Sequence, residues 1–345
     1  MDILKIKNLS VSFATDGPPL RAVRGVDLSL AEGEVLALVG ESGSGKSVTS
    51  KAVLGILPPS ATVESGEVIY GGRNLLSLSK TEMTSIRGRE ISMVPQDPFL
   101  SLDPIAHVGS QIAESVCVEG RRGLEARRYK KDRAIELMRE VGIPDAERRY
   151  GEYPFRFSGG MRQRIAIAAA LAPSPKILIC DEPTTALDVT IEAQILDLLD
   201  RLKRERGLSM IFITHDLGVV ARIADRVAVM YAGRIVELGG VEEVFYDPRH
   251  PYTWALMSSM PAAGEKTLSA IPGSVPDMRY PPCGDAFAPR NEWAMRIDTV
   301  LAPPFFDITP THSVASWLYH EDAPKVELPP HLKARIKVRG GKSDA

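Results

Sequence analysis

A glycine-rich segment near residue 40 constrains this chain more than any other feature of its sequence. Residues 40–47 read GESGSGKS and satisfy the pattern G-x-x-x-x-G-K-S/T at every required position. The short apolar run at residues 35–39 precedes this segment and is typical of a strand buried on both faces of a parallel sheet. A helix is expected from about Lys46 to Leu57, where Pro58 and Pro59 would end it. A strand, a glycine loop and a helix start in this order predict a phosphate-binding loop rather than a chance glycine turn.

The residue types of this loop suit the phosphates of a nucleotide and a magnesium ion. Glycines let consecutive backbone N–H groups converge on phosphate oxygens, and the helix N-terminus adds a favourable dipole. Lys46 would neutralise the β- and γ-phosphates, and the Ser47 hydroxyl would ligate Mg²⁺. The residues expected to contact the nucleotide here are Gly40, Glu41, Ser42, Gly43, Ser44, Gly45, Lys46 and Ser47.

Strands alternate with helices along much of the chain, which predicts an α/β fold with a parallel sheet. Alternating apolar positions at 3–13 and 22–30 predict an N-terminal β-rich segment. The pattern from about 105 to 172 is mostly helical and predicts an inserted helical subdomain. Further buried strands are expected at 177–180 and 210–213.

Two adjacent carboxylates follow the predicted strand at 177–180. Asp181 and Glu182 would lie at the carboxyl edge of the sheet, where open α/β folds bind ligands. Asp181 would hold Mg²⁺ directly or through water, while Glu182 would polarise the water that attacks the γ-phosphate. An acidic pair after a strand is also a common helix-start signal. Because the glycine loop occurs in the same chain, we favour the catalytic role for this pair over the helix-start role.

A second glycine-containing segment precedes an apolar helix. Ser158 is a good N-cap, Gly159 and Gly160 permit close approach of a phosphate, and the helix runs on from Met161. This segment predicts a second anion site at a helix start, with an ordinary capped helix as the alternative.

These elements together resemble the ATP-binding subunits of ABC transporters over about residues 3–240. The family's signature motif, commonly L-S-G-G-Q, is FSGGM at residues 157–161. The other family elements occur in the family's order: the adenine-stacking aromatic (Phe13), the Q-loop glutamine (Gln96), the D-loop (residues 185–188, with Ala186 and Asp188) and the switch histidine (His215).

The resemblance implies a P-loop NTPase core with a mainly parallel sheet, an N-terminal antiparallel β subdomain and a helical subdomain at about 97–172. It implies catalytic roles for Glu182, His215 and Gln96, and a Mg²⁺ site at Ser47, Gln96 and Asp181. Two such domains pack head to tail in the family, so each ATP also meets a partner's signature motif. The expected nucleotide contacts outside the loop are Phe13, Ser158, Gly159, Gly160, Met161 and Asp188.

The composition shifts after about Asp247, where prolines become frequent. We expect an ATPase domain at 1–245 and an extension at 246–345. The segment DPRHPYT at 247–253 resembles the C-terminal extension of oligopeptide, dipeptide and nickel importer ATPases, and residues 287–290 and 316–319 continue the likeness. The resemblance implies a motor for peptide import, with nickel or another small solute as the alternative.

The resemblance to that subfamily implies partners on separate chains. They are a second ATPase, identical or homologous, two transmembrane permease subunits and an extracytoplasmic solute-binding protein. No apolar run approaches the roughly 18–20 residues that span a bilayer, and no secretory signal is visible. We therefore expect a peripheral protein on the cytoplasmic face of the inner membrane. A soluble ABC ATPase acting on DNA or ribosomes, and a regulatory scaffold subunit, are the competing hypotheses.

The cysteine pattern marks a departure from the subfamily. Many relatives carry four cysteines in the extension that can hold an iron–sulfur cluster, and none of the aligned positions here is a thiol: Asp285, Asn291, Asp298 and Ser316. Because such a cluster needs about four thiolates, we predict that this chain holds none. Asp285 and Asp298 are interpreted as solvated surface carboxylates rather than as ligands of a cation.

The charge balance argues against nucleic acid as a partner. The chain has 42 basic and 44 acidic residues, so no positive field covers the whole protein. A basic cluster occurs at 121–133, but acidic residues interrupt it and aromatic residues for base stacking are few. We interpret this cluster as a solvated helix face.

Overall fold

The structure is a computed structural model that describes residues 1–185, 187–260 and 271–340. Among them, the strands are β1 (Asp2–Phe13), β2 (Leu20–Ala31), β3 (Val35–Val39), β4 (Ala61–Tyr70), β5 (Arg73–Asn74), β6 (Ile91–Val94), β7 (Ile177–Asp181), β8 (Ser209–Thr214), β9 (Arg226–Tyr231), β10 (Arg234–Gly240), β11 (Phe306–Asp307) and β12 (Ser313–Val314).

The helices of the described residues alternate with these strands in the first 240 residues and continue beyond them. They are α1 (Lys46–Val53), α2 (Lys80–Ile86), α3 (Pro98–Ser101), α4 (Val108–Ser115), α5 (Gly123–Glu140), α6 (Ala146–Arg149), α7 (Gly159–Leu171), α8 (Val189–Arg206), α9 (Leu217–Ile223), α10 (Val241–Tyr246), α11 (Pro251–Ser258) and α12 (Pro330–Gly340). None of these helices is long and apolar enough to cross a membrane.

The chain forms two compact units, each assembled from separate segments. The first unit contains residues 1–3, 30–35 and 77–213, and the second contains residues 4–29, 36–76 and the described part of 214–345. The second unit therefore includes both the glycine-rich loop and the C-terminal extension. The proposed division at residue 245 stays a prediction from the sequence.

The second unit holds an antiparallel sheet and a mixed sheet. In the antiparallel sheet the strand order is β2-β1-β4-β5, with Leu4 opposite Tyr70 where β1 meets β4. In the mixed sheet, β3 runs parallel to β9, β9 is antiparallel to β10, and β10 is antiparallel to β12. The predicted strand before the glycine loop is confirmed, and all five of its residues are buried.

The apolar core of the second unit continues from the ATPase segment into the extension. Val39 on β3 and Tyr231 on β9 belong to the same buried cluster as Tyr252, Trp254 and Phe287, which lie beyond residue 245. The side chains of Tyr231, Tyr252 and Phe287 are among the largest that are fully buried. Burial of such rings accounts for much of the stabilisation in a core of this kind.

The first unit combines three parallel strands with a helical subdomain. Strand β7 pairs in parallel with β6 on one side and β8 on the other. All residues of β7 and β8 are buried, as expected for strands covered on both faces. Helices α4, α5 and α7 pack together, in agreement with the predicted helical insertion.

The basic cluster lies at the start of α5 and on the turn before it, where its side chains face water. Arg128 is 3.8 Å from Asp132, and Arg133 donates to Glu136 at 2.9 Å. The helix buries its other face through Ala134 and Leu137. These contacts agree with a solvated face of paired charges.

One local expectation was wrong, and two short strands were not predicted. The helix after the glycine loop ends at Val53 rather than near residue 57, because Gly55 takes the left-handed conformation (φ 60°). The Ile56 N–H then bonds to the Lys51 carbonyl at 3.0 Å, which closes the helix C-terminus. Strands β11 and β12 were missed, since two-residue strands show no periodicity.

Candidate functional site

The glycine-rich loop lies between β3 and α1 and holds the Lys46 ammonium inside it. Lys46 Nζ donates to the carbonyl oxygens of Gly40 at 2.7 Å and Glu41 at 2.8 Å, and to Ser44 Oγ at 3.4 Å. A lysine ammonium has three donors, and the loop supplies three acceptors. A Cβ at Gly40 would lie 2.1 Å from the Met230 carbonyl oxygen, so only glycine fits there.

The first turn of α1 presents backbone N–H groups at the end of the loop. Its N-cap is Gly45, which has no side chain to accept a hydrogen bond and takes φ 105°. Ser47 lies in this first turn and is half-buried. The N–H groups of a first helical turn and the helix dipole favour an anion at this position. The geometry therefore suits the predicted phosphate contacts.

The carboxyl end of β7 brings three of the predicted site residues together in the first unit. Asp181 is the buried last residue of the strand, and Glu182 follows it. Glu182 Oε2 accepts hydrogen bonds from Gln96 Nε2 at 3.2 Å and from Thr185 Oγ1 at 2.9 Å. The contact between Gln96 and Glu182 joins residues 86 apart in sequence. The sequence predicts Thr185 only as part of the D-loop, whereas in the structure its hydroxyl donates to this carboxylate.

Glu182 has an unusual backbone conformation for a glutamate. Its φ is 47°, in the left-handed region that favours glycine, and its N–H donates to the Ile213 carbonyl at 2.9 Å. Such a conformation costs about 1–3 kcal/mol and persists where the surroundings over-determine it, often at active sites.

The signature segment begins α7. Ser158 is the N-cap, and its Oγ accepts the N–H of Met161 at 3.4 Å. A Cβ at Gly160 would lie 2.5 Å from Cγ2 of Ile191 on α8, so packing alone demands glycine at this position. Gly159 has no such contact within 3.4 Å. The structure therefore adds a packing reason for one of the two glycines that were predicted to approach phosphate.

The remaining predicted residues lie at the ends of their elements. Asp188 is the N-cap of α8, and its Oδ1 accepts the N–H groups of Thr190 at 3.1 Å and Ile191 at 3.0 Å. Ala186 of the D-loop lies outside the described residues. His215 is exposed between β8 and α9, and Phe13 is the half-buried last residue of β1. Their roles toward a nucleotide stay predictions.

Glu41 is held from the C-terminal extension, which sequence reasoning did not predict. Its N–H donates to the Tyr252 hydroxyl at 2.7 Å, and its carboxylate accepts from Arg290 at 2.7 and 3.0 Å. Both partners lie in segments that were singled out only for their likeness to a subfamily. No local pattern connects residues that are 211 and 249 positions apart.

The segment at 247–253 docks the extension through the buried carboxylate of Glu237 on β10. Glu237 accepts hydrogen bonds from Arg249 N at 2.7 Å, His250 N at 2.9 Å and His312 Nε2 at 2.8 Å. His250 Nδ1 accepts the Tyr252 N–H at 3.0 Å and so caps α11, in which Pro251 is the first residue. Burial lowers the pKa of His250 to about 3, so this cap is neutral at physiological pH.

The four positions aligned with cluster cysteines form local hydrogen bonds to the backbone. The pairs are Asp285 Oδ1 with Phe287 N (3.0 Å), Asn291 Oδ1 with Trp293 N (3.0 Å), Asp298 Oδ2 with Met295 N (2.6 Å) and Ser316 Oγ with Leu318 N (3.3 Å). As ligands, these side-chain oxygens do not fit an iron–sulfur cluster, which is held by thiolates. In the described part of the chain, no group of three or more His, Cys, Asp or Glu side chains could hold a metal.

The interpretation of Asp285 and Asp298 as solvated surface was wrong. Their exposed fractions are 8% and 3%, and the Asp285 N–H donates to the Asp298 carbonyl at 2.7 Å. Burial, reinforced by the Asp298 charge, raises the pKa of Asp285 to about 6. Burial also raises the pKa of Asp298. No local pattern signals this burial, because the surrounding prolines interrupt any periodicity.

Two family models match the chain. Residues 23–185 match the ABC transporter family, and residues 236–297 match the C-terminal region of oligopeptide/dipeptide transporters. The oligopeptide transport ATP-binding protein OppD of Bacillus subtilis is 55% identical, with 97% of this chain and 94% of that protein covered. The dipeptide transport ATP-binding protein DppD of Lactococcus lactis is 52% identical, with coverages of 97% and 96%.

Solved structures of ATP-binding cassettes share the fold. The dimeric ATP-binding cassette MJ0796 in a post-hydrolysis state, bound to ADP and Pi, has a TM-score of 0.62 and 28% identity, with 69% of this chain and 98% of that chain covered. CbiO1 of Clostridium perfringens, part of the ABC transporter complex cbiONQ, has a TM-score of 0.61 and 29% identity, with coverages of 71% and 91%.

Proposed function

The chain belongs to the ATP-binding proteins of oligopeptide and dipeptide ABC transporters, and from that premise we propose that it hydrolyses ATP to energise peptide import. The observation that carries the catalytic part is the carboxylate of Glu182. It follows the buried Asp181 at the carboxyl end of β7, and Gln96 and Thr185 both donate to it. A carboxylate fixed in this way is suited to accept a proton from the attacking water.

The loop residues supply the complementary half of the chemistry. Lys46 exchanges carbonyl acceptors of the loop for phosphate oxygens when a nucleotide binds, and the N–H groups at the start of α1 bind the same anion. Because the glycines already give the loop its shape, we expect mainly the ammonium to move. The cost of reorganisation at the moment of reaction is therefore small.

We propose Mg²⁺ as the cofactor, with the ligands predicted from the sequence, which are Ser47, Asp181 and Gln96. The hydroxyl, carboxylate and amide oxygens of these residues are hard donors, the class that Mg²⁺ prefers, and Asp181 ends its strand as a buried carboxylate. When bound, the ion neutralises charge that develops on the phosphates. Its presence in this protein would be tested by the loss of hydrolysis in EDTA and recovery with Mg²⁺.

We propose a second ATPase chain, identical or homologous, as a partner. The MJ0796 cassette is dimeric in its solved structure. The signature helix α7 of this chain begins at the exposed Ser158, where a partner's nucleotide could be reached. The nucleotide roles of Ser158, Gly159, Gly160, Met161 and Asp188 belong to that assembly.

An exposed aromatic surface in the first unit supports a permease partner. Phe99 and Phe155 have exposed fractions of 61% and 64%. The Arg162 guanidinium lies 3.8 Å from the centre of the Phe99 ring, and the rings of Tyr153 and Phe155 stack at 5.7 Å. Apolar side chains grouped in this way mark interaction sites. Two permease subunits, each bound at such a surface, would hold the ATPases at the cytoplasmic face of the membrane.

The role of the exposed aromatic surface can be tested separately from catalysis. Phe155→Glu adds a charge to this surface and leaves the nucleotide residues intact. We expect this variant to bind ATP as the wild type does and to lose co-purification with the permease subunits. Unchanged co-purification would exclude Phe155 from the interface.

Transport itself is tested by complementation. A strain that lacks the gene for this chain should fail to grow on di- and oligopeptides as the only source of a required amino acid. We expect the wild-type gene to restore growth and Glu182→Gln to leave it absent, while growth on the free amino acid is unaffected. Restoration of nickel uptake without peptide uptake would favour the nickel alternative. The extracytoplasmic binding protein would be identified by its requirement in the same assay.

A further inference from the structure

Glu41, the second residue of the glycine-rich loop, has each of its polar groups engaged within the second unit. Its N–H donates to the Tyr252 hydroxyl, its carboxylate accepts from Arg290, and its carbonyl accepts from Lys46. Two of these three partners come from the extension. Glu41 therefore connects the extension directly to the lysine of the loop.

The ion pair between Arg290 and Glu41 is bidentate and largely buried. Nη1 and Nη2 of Arg290 donate to Oε2 and Oε1 of Glu41 at 2.7 and 3.0 Å, and the Arg290 side chain is 4% exposed. Parallel charge-assisted bonds of this kind fix orientation as well as energy. The hydrogen bonds to Glu41 raise the pKa of Arg290, so the guanidinium stays charged.

Arg290 is itself fixed by the extension and by β9. Its Nε donates to the Pro272 carbonyl at 2.7 Å, and its Nη1 also donates to the Tyr231 hydroxyl at 3.1 Å. The guanidinium carbon lies 5.8 Å from the centre of the Phe287 ring. Because other groups hold the arginine, it can fix the position of Glu41 rather than follow it.

Tyr252 supplies the second point of attachment. It lies on α11 with no exposed surface, and its ring is 4.5 Å from Tyr231 and 5.3 Å from Phe287, measured between ring centres. The Glu41 N–H donates to its hydroxyl at 2.7 Å. This amide was predicted to contact phosphate, and here it is committed to the extension.

We propose that Arg290 and Tyr252 are positioning residues for nucleotide binding, which hold Glu41 and with it the shape of the loop that surrounds Lys46. The inference rests on the proposed ATP hydrolysis and deepens it. It makes the extension part of the scaffold of the nucleotide site, and it makes Glu41 an anchor of the loop rather than a phosphate ligand.

The test compares full-length variants by ATP-analogue binding and by steady-state hydrolysis. We expect Arg290→Met to raise both the Kd of a non-hydrolysed ATP analogue and the KM for ATP about tenfold, the scale of a lost charge-assisted hydrogen bond, with kcat changed less than about twofold. Arg290→Lys keeps the positive charge but cannot form the bidentate pair, and it should recover part of the affinity for the ATP analogue. Tyr252→Phe should weaken binding less and speed hydrogen exchange of the Glu41 amide.

The matched control is Arg279→Met. Arg279 also forms a bidentate pair with a carboxylate of the extension, but on the surface and with Asp277 rather than Glu41. This variant should leave Kd, KM and amide exchange unchanged. Arg290→Met removes the centre of a buried hydrogen-bond network and could prevent folding, so thermal melting is recorded for every variant. If Arg290→Met does not fold, Arg290→Lys and Tyr252→Phe decide the question.

The outcomes separate this inference from the proposed function. If folded Arg290→Lys and Tyr252→Phe bind the analogue with wild-type affinity and wild-type exchange at Glu41, the positioning role is wrong while ATP hydrolysis stands. If the wild-type chain, assembled with its permease, neither binds nor hydrolyses ATP, the proposed function itself fails. A drop in kcat with unchanged KM would also overturn the inference, because a loop that positions the nucleotide acts on binding.

Discussion

The buried Asp285 carboxyl group should reduce folding stability at neutral pH, and Asp285→Asn should remove that cost. Burial raises the pKa of Asp285 from 3.8 to about 6 in the folded chain. The folded state therefore binds this proton more tightly than the unfolded state. By linkage, the free energy of unfolding falls as pH rises from about 4 to about 6, and the loss persists at higher pH.

The size of the effect follows from the shift in pKa. Each unit corresponds to about 1.4 kcal/mol, so a shift of about two units gives up to about 3 kcal/mol above pH 6. Asparagine has nearly the same shape, carries no charge and keeps an oxygen to accept the Phe287 N–H, which lies 3.0 Å from Asp285 Oδ1. We expect Asp285→Asn to be more stable than the wild type at pH 8 by up to this amount, and equal to it near pH 4.

Urea denaturation at a series of pH values measures the difference directly. Asp307→Asn is the control, because it makes the same change on an exposed side chain of β11, where surface substitutions change stability by about 0.5 kcal/mol or less. In a sample with ¹³C-labelled aspartate, a carboxyl resonance that titrates near pH 6 should be missing from the variant. A stability difference that does not depend on pH, or a variant less stable at pH 8, would refute the reasoning.

Three further expectations concern the site. Glu182→Gln should retain ATP binding and lose hydrolysis by a factor of about 10² or more, the usual contribution of a general base; hydrolysis near the wild-type rate would remove Glu182 from that role. Gly160→Ala should destabilise the chain by about 1–3 kcal/mol, because its Cβ would meet Ile191 Cγ2 at 2.5 Å. In a chain that already carries Ile191→Ala, Gly160→Ala should cost less stability in urea denaturation than it does in the wild type. Equal costs in the two backgrounds would exclude the contact as the cause. Lys46→Met should abolish binding of fluorescent ATP analogues, and retained affinity would contradict its place at the phosphates.

Local patterns predicted the parts of the site that are continuous in sequence. The strand β3, the glycine loop and the start of α1 follow one another without interruption, and Asp181 and Glu182 come directly after a buried strand. In such segments the chemistry depends on neighbouring residues. Periodicity and glycine placement were therefore sufficient.

Contacts between distant residues could not be predicted in this way. Arg290 and Glu41 are 249 positions apart, and a surface arginine and a buried one look alike in a sequence without periodicity. The same reason explains the error at Asp285 and Asp298, whose burial depends on backbone packing: a Cβ at Gly284 would lie 1.9 Å from the Asp298 carbonyl oxygen. The tertiary fold of the extension decides these environments.

Uptake of labelled peptide by proteoliposomes is the measurement that tests the central claim most directly. The vesicles would contain the permease subunits with this chain and its partner ATPase, and the binding protein would be added on the opposite face from ATP. The account predicts peptide accumulation that requires ATP and Mg²⁺ and is lost with Glu182→Gln. Accumulation that is independent of ATP, or that persists in the Glu182→Gln assembly, would contradict it.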